Sequence, residues 1–137
     1  MANALYDKAR ERFLGGDLAW DATTIRIALI DTGSYTVNLS SHQDMADVAT
    51  ASRIKEATSS LASNTITAGV ADAADYTWVD VTGAQCEAII IYRYDASDAS
   101  AYLIAYIDTA TSGLPVTPNG GDITVQWSSG SNKIFKL

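Results

Sequence analysis

Near the start of the chain, Leu5, Tyr6, Ala9 and Phe13 recur at helical spacing, with Asp7, Lys8, Arg10, Glu11 and Arg12 mostly on the other faces. That pattern predicts an amphipathic helix over residues 2–14. Gly15-Gly16 ends it, because glycine readily takes the left-handed conformation of a helix C-cap. The period then changes from helical to alternating. Leu18 and Trp20 lead into a predicted strand over residues 23–31, in which Ile25, Ile27 and Leu29 share one face and Arg26 marks the other.

The pattern weakens in the middle. Tyr35-Thr36-Val37-Asn38-Leu39 reads as a short strand or an extended loop. Ser41 followed three residues later by Asp44 has the spacing of a helix N-terminal capping signal, opening a turn or two through His42, Met45, Ala46 and Val48. Residues 53–61 and 64–68, rich in Ser and Thr, are expected as edge strands, where Lys55 and Glu56 discourage pairing with stray chains.

From Tyr76 onward the β pattern is strong, with strands expected over residues 76–81, 85–94 and 100–108. The run Cys86-Glu87-Ala88-Ile89-Ile90-Ile91-Tyr92 is apolar on both faces through most of its length, as a strand covered on both sides should be. Asp95-Ala96-Ser97-Asp98-Ala99 reads as a hairpin loop between two of these runs. After the Pro115/Pro118 segment and Asn119-Gly120-Gly121, two further strands are expected over residues 123–127 and 133–137. Seven to nine short strands with frequent turn signals predict a mainly β fold: a single-domain antiparallel β-sandwich or barrel-like fold with an N-terminal α-helix. Residues 1–16 form the helical part and residues 17–137 the β domain.

Composition sharpens this picture. A chain of 137 residues, 47% apolar and 18% charged, is expected to bury roughly two thirds of its unfolded surface and to be ordered. The net charge of −7 comes from 13 Asp and 3 Glu against 9 Lys and Arg. Such a surface argues against nucleic-acid binding, which needs cations to neutralise phosphates, and no basic block suits an anionic membrane. No run approaches the roughly 18 apolar residues of a membrane span, and no signal-peptide pattern opens the chain. It is therefore expected to be made in the cytosol and kept or assembled there.

Chemistry-bearing residues are few. Cys86 is the only cysteine, which excludes an intrachain disulfide and a Cys-rich zinc site; inside an apolar run it should behave as a small hydrophobe. His42 is the only histidine, expected at the surface, and no Gly-x-Ser-x-Gly elbow accompanies it. Glu11, Glu56 and Glu87 fall on separate elements with no supporting motif for paired-carboxylate catalysis. Asp72 with Asp75, and Asp95 with Asp98, supply too few ligands for calcium and read as turn residues. Trp20, Trp78 and Trp127 could in principle form a sugar platform, but Trp78 and Trp127 alternate with smaller residues as core positions do. Tyr35, in a polar stretch, is expected to be exposed. No catalytic residue, cofactor or metal is expected, and the chain reads as a non-enzyme.

Several stretches together resemble a family of small virion structural proteins of tailed bacteriophages. They are Leu5-Tyr6-Asp7-Lys8-Ala9-Arg10-Glu11 through Phe13-Leu14-Gly15-Gly16, Ile25-Arg26-Ile27-Ala28-Leu29-Ile30-Asp31-Thr32, Tyr35-Thr36-Val37-Asn38-Leu39 and Ile104-Ala105-Tyr106-Ile107-Asp108-Thr109. The resemblance closes with Gly113-Leu114-Pro115-Val116-Thr117-Pro118-Asn119-Gly120-Gly121-Asp122 and Asn132-Lys133-Ile134-Phe135-Lys136-Leu137. It implies a virion component, best matched by a capsid decoration or cement protein on the outer head surface. The implied partners are the major capsid protein and further copies of the chain, most often as a trimer. Leu5, Tyr6, Phe13 and Tyr35 are the candidate interface residues, with the helix either reaching a neighbour or docking on its own sheet. The alternatives are a tail, neck or baseplate component and a carbohydrate- or host-surface-binding module.

Overall fold

The computed structural model describes residues 4–21, 24–108, 114–127 and 133–137. Among these the protein is mainly β, with antiparallel pairing throughout and one short N-terminal helix. Its strands are β1 (Ala4–Leu5), β2 (Ile25–Ile30), β3 (Arg53–Glu56), β4 (Thr65–Thr67), β5 (Val70–Asp72), β6 (Tyr76–Trp78), β7 (Ala88–Arg93), β8 (Leu103–Ile107), β9 (Ile123–Val125) and β10 (Phe135–Lys136). The helix, α1, spans Asp7–Gly15.

The main sheet runs β1-β8-β7-β2-β3. β7 lies at its centre, and the expectation from its unbroken apolar run holds: Ala88 to Tyr92 are all buried. Register explains why both faces are apolar. Ile27, Ile91 and Ala105 are paired neighbours on one face, and Ala28, Ile90 and Tyr106 are paired neighbours on the other. The hairpin joining β7 to β8 forms where Asp95 to Ala99 predicted it, with a short 3₁₀ turn over Asp98–Ser100. Two smaller sheets, β10-β5-β4 and β6-β9, complete the β structure. Among the described residues all three sheets are open and no closed barrel forms. Trp20, Trp78, Val125, Trp127 and Ile134 join the main-sheet residues in one buried cluster, and the expected core role of Trp78 and Trp127 holds.

Both Ser/Thr-rich segments are edge strands as expected, β3 in the large sheet and β4 in the three-stranded one. Sequence reading missed β5, which returns from β4 through a two-residue turn. Ala68 and Gly69 both have positive φ there, 53° and 79°, the conformation a type I′ hairpin requires at both central positions. The segment from Tyr35 to Leu39 is the extended-loop alternative, with no ladder partner. The 3₁₀ turn over Met45–Asp47 is capped by Asp44 rather than Ser41: the Asp44 carboxylate accepts from the Ala46 amide while Asp47 accepts from the Asp44 amide. The capping logic was right but slid three residues along the chain.

The helix begins later than its spacing predicted. Leu5 pairs with Ala105 in β1, and Tyr6, with ψ of 142°, is the non-helical cap. A free edge of the main sheet is filled by residues whose 3.6-residue spacing also fits a strand over so short a stretch, and ladder hydrogen bonds decide in favour of the strand. The C-cap prediction holds, with Gly16 at φ 85°. Among the described residues, no helix is long and apolar enough to cross a membrane.

Candidate interaction surfaces

The four candidate interface residues do not form one exposed patch. Leu5, Tyr6 and Tyr35 are buried in the chain's own core, and Phe13 is half-buried. The exposure expected of Tyr35 is overturned for a reason no local pattern carries. Its hydroxyl lies 2.9 Å from that of Tyr6, 29 positions away, and 2.8 Å from His42 Nδ1. His42 Nδ1 also accepts from the Asn38 amide at 3.3 Å, so the half-buried histidine anchors the loop that carries Tyr35. Burial first, and the neighbouring phenol second, hold Tyr6 in its neutral form well above the usual phenol range. Burial likewise pushes Tyr35 up to about 12.

This loop belongs to the long connection between β2 and β3, residues 31–52. It contributes Tyr35, Met45 and Val48 to the common core, and arginines reaching from other elements tie it down. Arg12 of α1 donates to the Gln43 carbonyl at 2.7 Å. Arg53, its side chain 7% exposed, donates to the carbonyls of Val48 and Met45 and to Asp98 Oδ2 at 3.0 Å. The Asp7 amide at the start of α1 donates to the Leu39 carbonyl at 2.8 Å. Connections of this length in compact domains are usually functional, and this one is fixed to α1 and β3 by the hydrogen bonds just described.

Two further arginine–tyrosine stacks escaped sequence analysis, because their partners are distant in the chain. The guanidinium carbons of Arg12 and Arg93 lie 3.5 and 4.0 Å from the ring centroid of Tyr102. Arg26 lies 3.7 Å from the centroid of Tyr94, itself 41% exposed. Burial, and secondarily Arg93, lower the proton affinity of Arg12, while Tyr102 and Asp44 oppose that shift.

A third surface is apolar. Phe13, Trp20 and Phe135 form an aromatic group, with centroids 6.0 Å apart for Phe13–Phe135 and 5.1 Å for the edge-on Trp20–Phe135 pair. They line an open pocket of about 170 Å³ together with Leu18 and Ala71, and Ile66 and Leu137 form its lip. Ile66 and Leu137 are 54% and 59% exposed, and Leu14, next in sequence to Phe13, is 90% exposed. Among the described residues of its lining, Asp21 is the one with a charged side chain.

The remaining chemistry-bearing side chains hold the fold. Cys86 is fully buried and pushed up to about 11, chiefly by burial, consistent with a small hydrophobe. Glu87 accepts from the amide and hydroxyl of Thr32. Asp75 accepts from the Trp127 amide, Asp95 from the Ser97 amide, and Asp72 lies 3.8 Å from Lys133. No group of three or more His, Cys, Asp or Glu poised for a metal occurs among the described residues. Trp20, Trp78 and Trp127 are all buried, so none presents a flat ring to solvent. Neither a protein-family model nor a curated protein sequence matches the chain.

Proposed function

We propose that this chain is a non-enzymatic structural component of a tailed-bacteriophage virion, specifically a decoration or cement protein on the outer head surface, assembled in the host cytoplasm. In this role it binds the major capsid protein and stabilises its lattice. The observation that carries the reading is the β2–β3 connection. It holds Tyr35-Thr36-Val37-Asn38-Leu39, one of the stretches on which the phage resemblance rests, and arginine ties fix it as a firm irregular face. A clamp needs such a face, because rigid surfaces lose little entropy on docking. The three sheets would stack as a sandwich-like body behind it. A net charge of −7 favours basic patches on the lattice as the complementary surface. The buried tryptophans weigh against a sugar platform.

The test is to mix purified protein with expanded heads of its phage and measure bound stoichiometry and the temperature at which the heads come apart. Saturable binding with a raised disruption temperature supports the proposal. Absence from heads, with labelling confined to tails in electron micrographs of the virion, moves the chain to the tail, neck or baseplate and refutes the decoration role.

A further inference from the structure

We propose that Arg12, Arg93 and Tyr102 form a carboxylate-binding site, filled by an acidic side chain of the protein on which this chain docks. The proposal deepens the decoration reading and rests on it for the partner, which is then a capsid subunit offering an aspartate or glutamate. The site itself stands on the geometry of this chain alone.

The three side chains come from separate elements. Arg12 extends from α1, Arg93 from the end of β7 and Tyr102 from the residue before β8. Both guanidinium carbons lie close to one ring centroid, at 3.5 and 4.0 Å. Cation–π attraction holds each against the ring, although two like charges are thereby brought together. One backbone bond orients each guanidinium: Arg12 Nη1 donates to the Gln43 carbonyl at 2.7 Å, and Arg93 Nη2 to the Ser100 carbonyl at 2.8 Å. A guanidinium has several further N–H donors in a fixed fork, so most of each fork is left for another acceptor. Neither arginine forms an ion pair among the described residues, whereas Arg10 pairs with Asp7 and Arg53 with Asp98. The Tyr102 hydroxyl makes no hydrogen bond among them either. All three residues are half-buried.

Charge selects the ligand. Two guanidiniums on one ring can share a single planar anion, which accepts at about 2.8 Å from each fork. Asp17 and Asp44 lie in the field of Arg12 without pairing with it. The local balance therefore suits a singly charged carboxylate better than a doubly charged phosphate. Nucleic acid is disfavoured further by the net charge of −7. Place selects a docking partner as the source. Gln43 and Asp44 belong to the β2–β3 connection, and Asp44 bridges to Tyr102, so the site borders the face proposed to meet the lattice. A carboxylate entering there relieves the repulsion between the two cations and fixes the register of docking.

The full chain, labelled with nitrogen-15, is titrated with sodium acetate at constant ionic strength while NMR follows the arginine Nε–H signals. Those of Arg12 and Arg93 are expected to shift together along one saturation curve, with Arg10, already paired with Asp7, unmoved. Phosphate at the same concentrations should shift them less. Arg93→Lys keeps the charge but loses the fork, and should weaken acetate about tenfold. Tyr102→Phe keeps the ring beneath both cations and should weaken acetate severalfold at an unchanged urea midpoint, which a merely structural role would not produce. Both variants should lose affinity for expanded phage heads in the same order. No shift with acetate, separate saturation of the two arginines, or a stronger response to phosphate overturns the site. A wild type that titrates with acetate but binds no heads refutes the decoration reading and its capsid partner, while the titration still supports the site. Heads bound equally well by the wild type and both variants overturn the proposal and leave the decoration reading in place.

Discussion

Truncating Arg53 to alanine is expected to destabilise the protein by about 3 kcal/mol. The side chain is 7% exposed and leaves β3 to donate from Nε and Nη2 to the Val48 carbonyl, at 3.1 and 2.7 Å, and from Nη2 to the Met45 carbonyl. Its Nη1 reaches Asp98 at 3.0 Å. Hydrogen bonds involving a charged group contribute about 1.5–3 kcal/mol each, and stranding a buried acceptor adds a further penalty. Two effects hold the total near the low end of what breaking a buried charge pair costs. The Met45 carbonyl keeps the Val48 amide at 3.1 Å, and Asp98, 53% exposed, stays hydrated when left alone. Asp98→Asn should therefore cost less than about 1 kcal/mol. Arg53→Lys should fall between, since one ammonium cannot span both carbonyls and the carboxylate. Urea unfolding followed by tryptophan fluorescence gives the numbers, with an unchanged m-value and a drop in melting temperature of about 10 °C for Arg53→Ala. A loss below about 1 kcal/mol for Arg53→Ala, or equal losses for Arg53→Ala and Asp98→Asn, would refute the claim that the carbonyl ties carry the effect.

Ala68 sits at φ 53° in the β4–β5 turn, where an L-residue with a Cβ is strained. Ala68→Asn or Ala68→Gly should raise stability by about 0.5–1 kcal/mol, and an unchanged or lower urea midpoint would count against the turn assignment. Tyr35→Phe leaves the buried Tyr6 hydroxyl without its partner at 2.9 Å and should cost about 1–2 kcal/mol; a neutral result would mean that the Tyr6–Tyr35–His42 chain is idle. Alkali should weaken the fold. Burial pushes Tyr35 and Cys86 up to about 12 and about 11, from ordinary values of 10.0 and 9.0. The folded state thus holds these protons more tightly, so this stability is intact below pH 9 and is lost as pH rises through about 11 to 12. Tyr6, Tyr92 and Tyr106 shift the same way. Tyrosinate absorbance should rise together with loss of tertiary circular dichroism, and titration of every tyrosine at its ordinary value in a folded protein would refute it.

The parts of the fold legible in sequence are those whose pattern is long and set by burial alone. β7 declares itself because its neighbours cover both faces, and β2 because Ile25, Ile27 and Leu29 alternate over six residues. The residues 4–5 strand was hidden because two residues cannot carry a period, so a helical spacing beginning at Leu5 looked continuous. β5 was hidden because a three-residue strand follows an Ala-Gly turn that lacks the usual Asn-Gly signal. The interaction surfaces were the least legible. Tyr35 is surrounded in sequence by polar residues, and the partners that make its burial tolerable, the Tyr6 hydroxyl and His42 Nδ1, are brought to it by the fold. Phe13 was marked from its helical spacing, yet the pocket it lines forms only where Phe135, from a distant part of the chain, packs against both Phe13 and Trp20.

The firm β2–β3 connection and the apolar pocket are joined through α1. Consecutive residues of its last turn face the two surfaces: Arg12 reaches the Gln43 carbonyl and the Tyr102 ring, while Phe13 packs on Phe135. A helix of nine residues has little stability of its own and is positioned by what it packs against. Filling the pocket on one side of α1 would therefore fix the helix from which Arg12 holds the connection on the other.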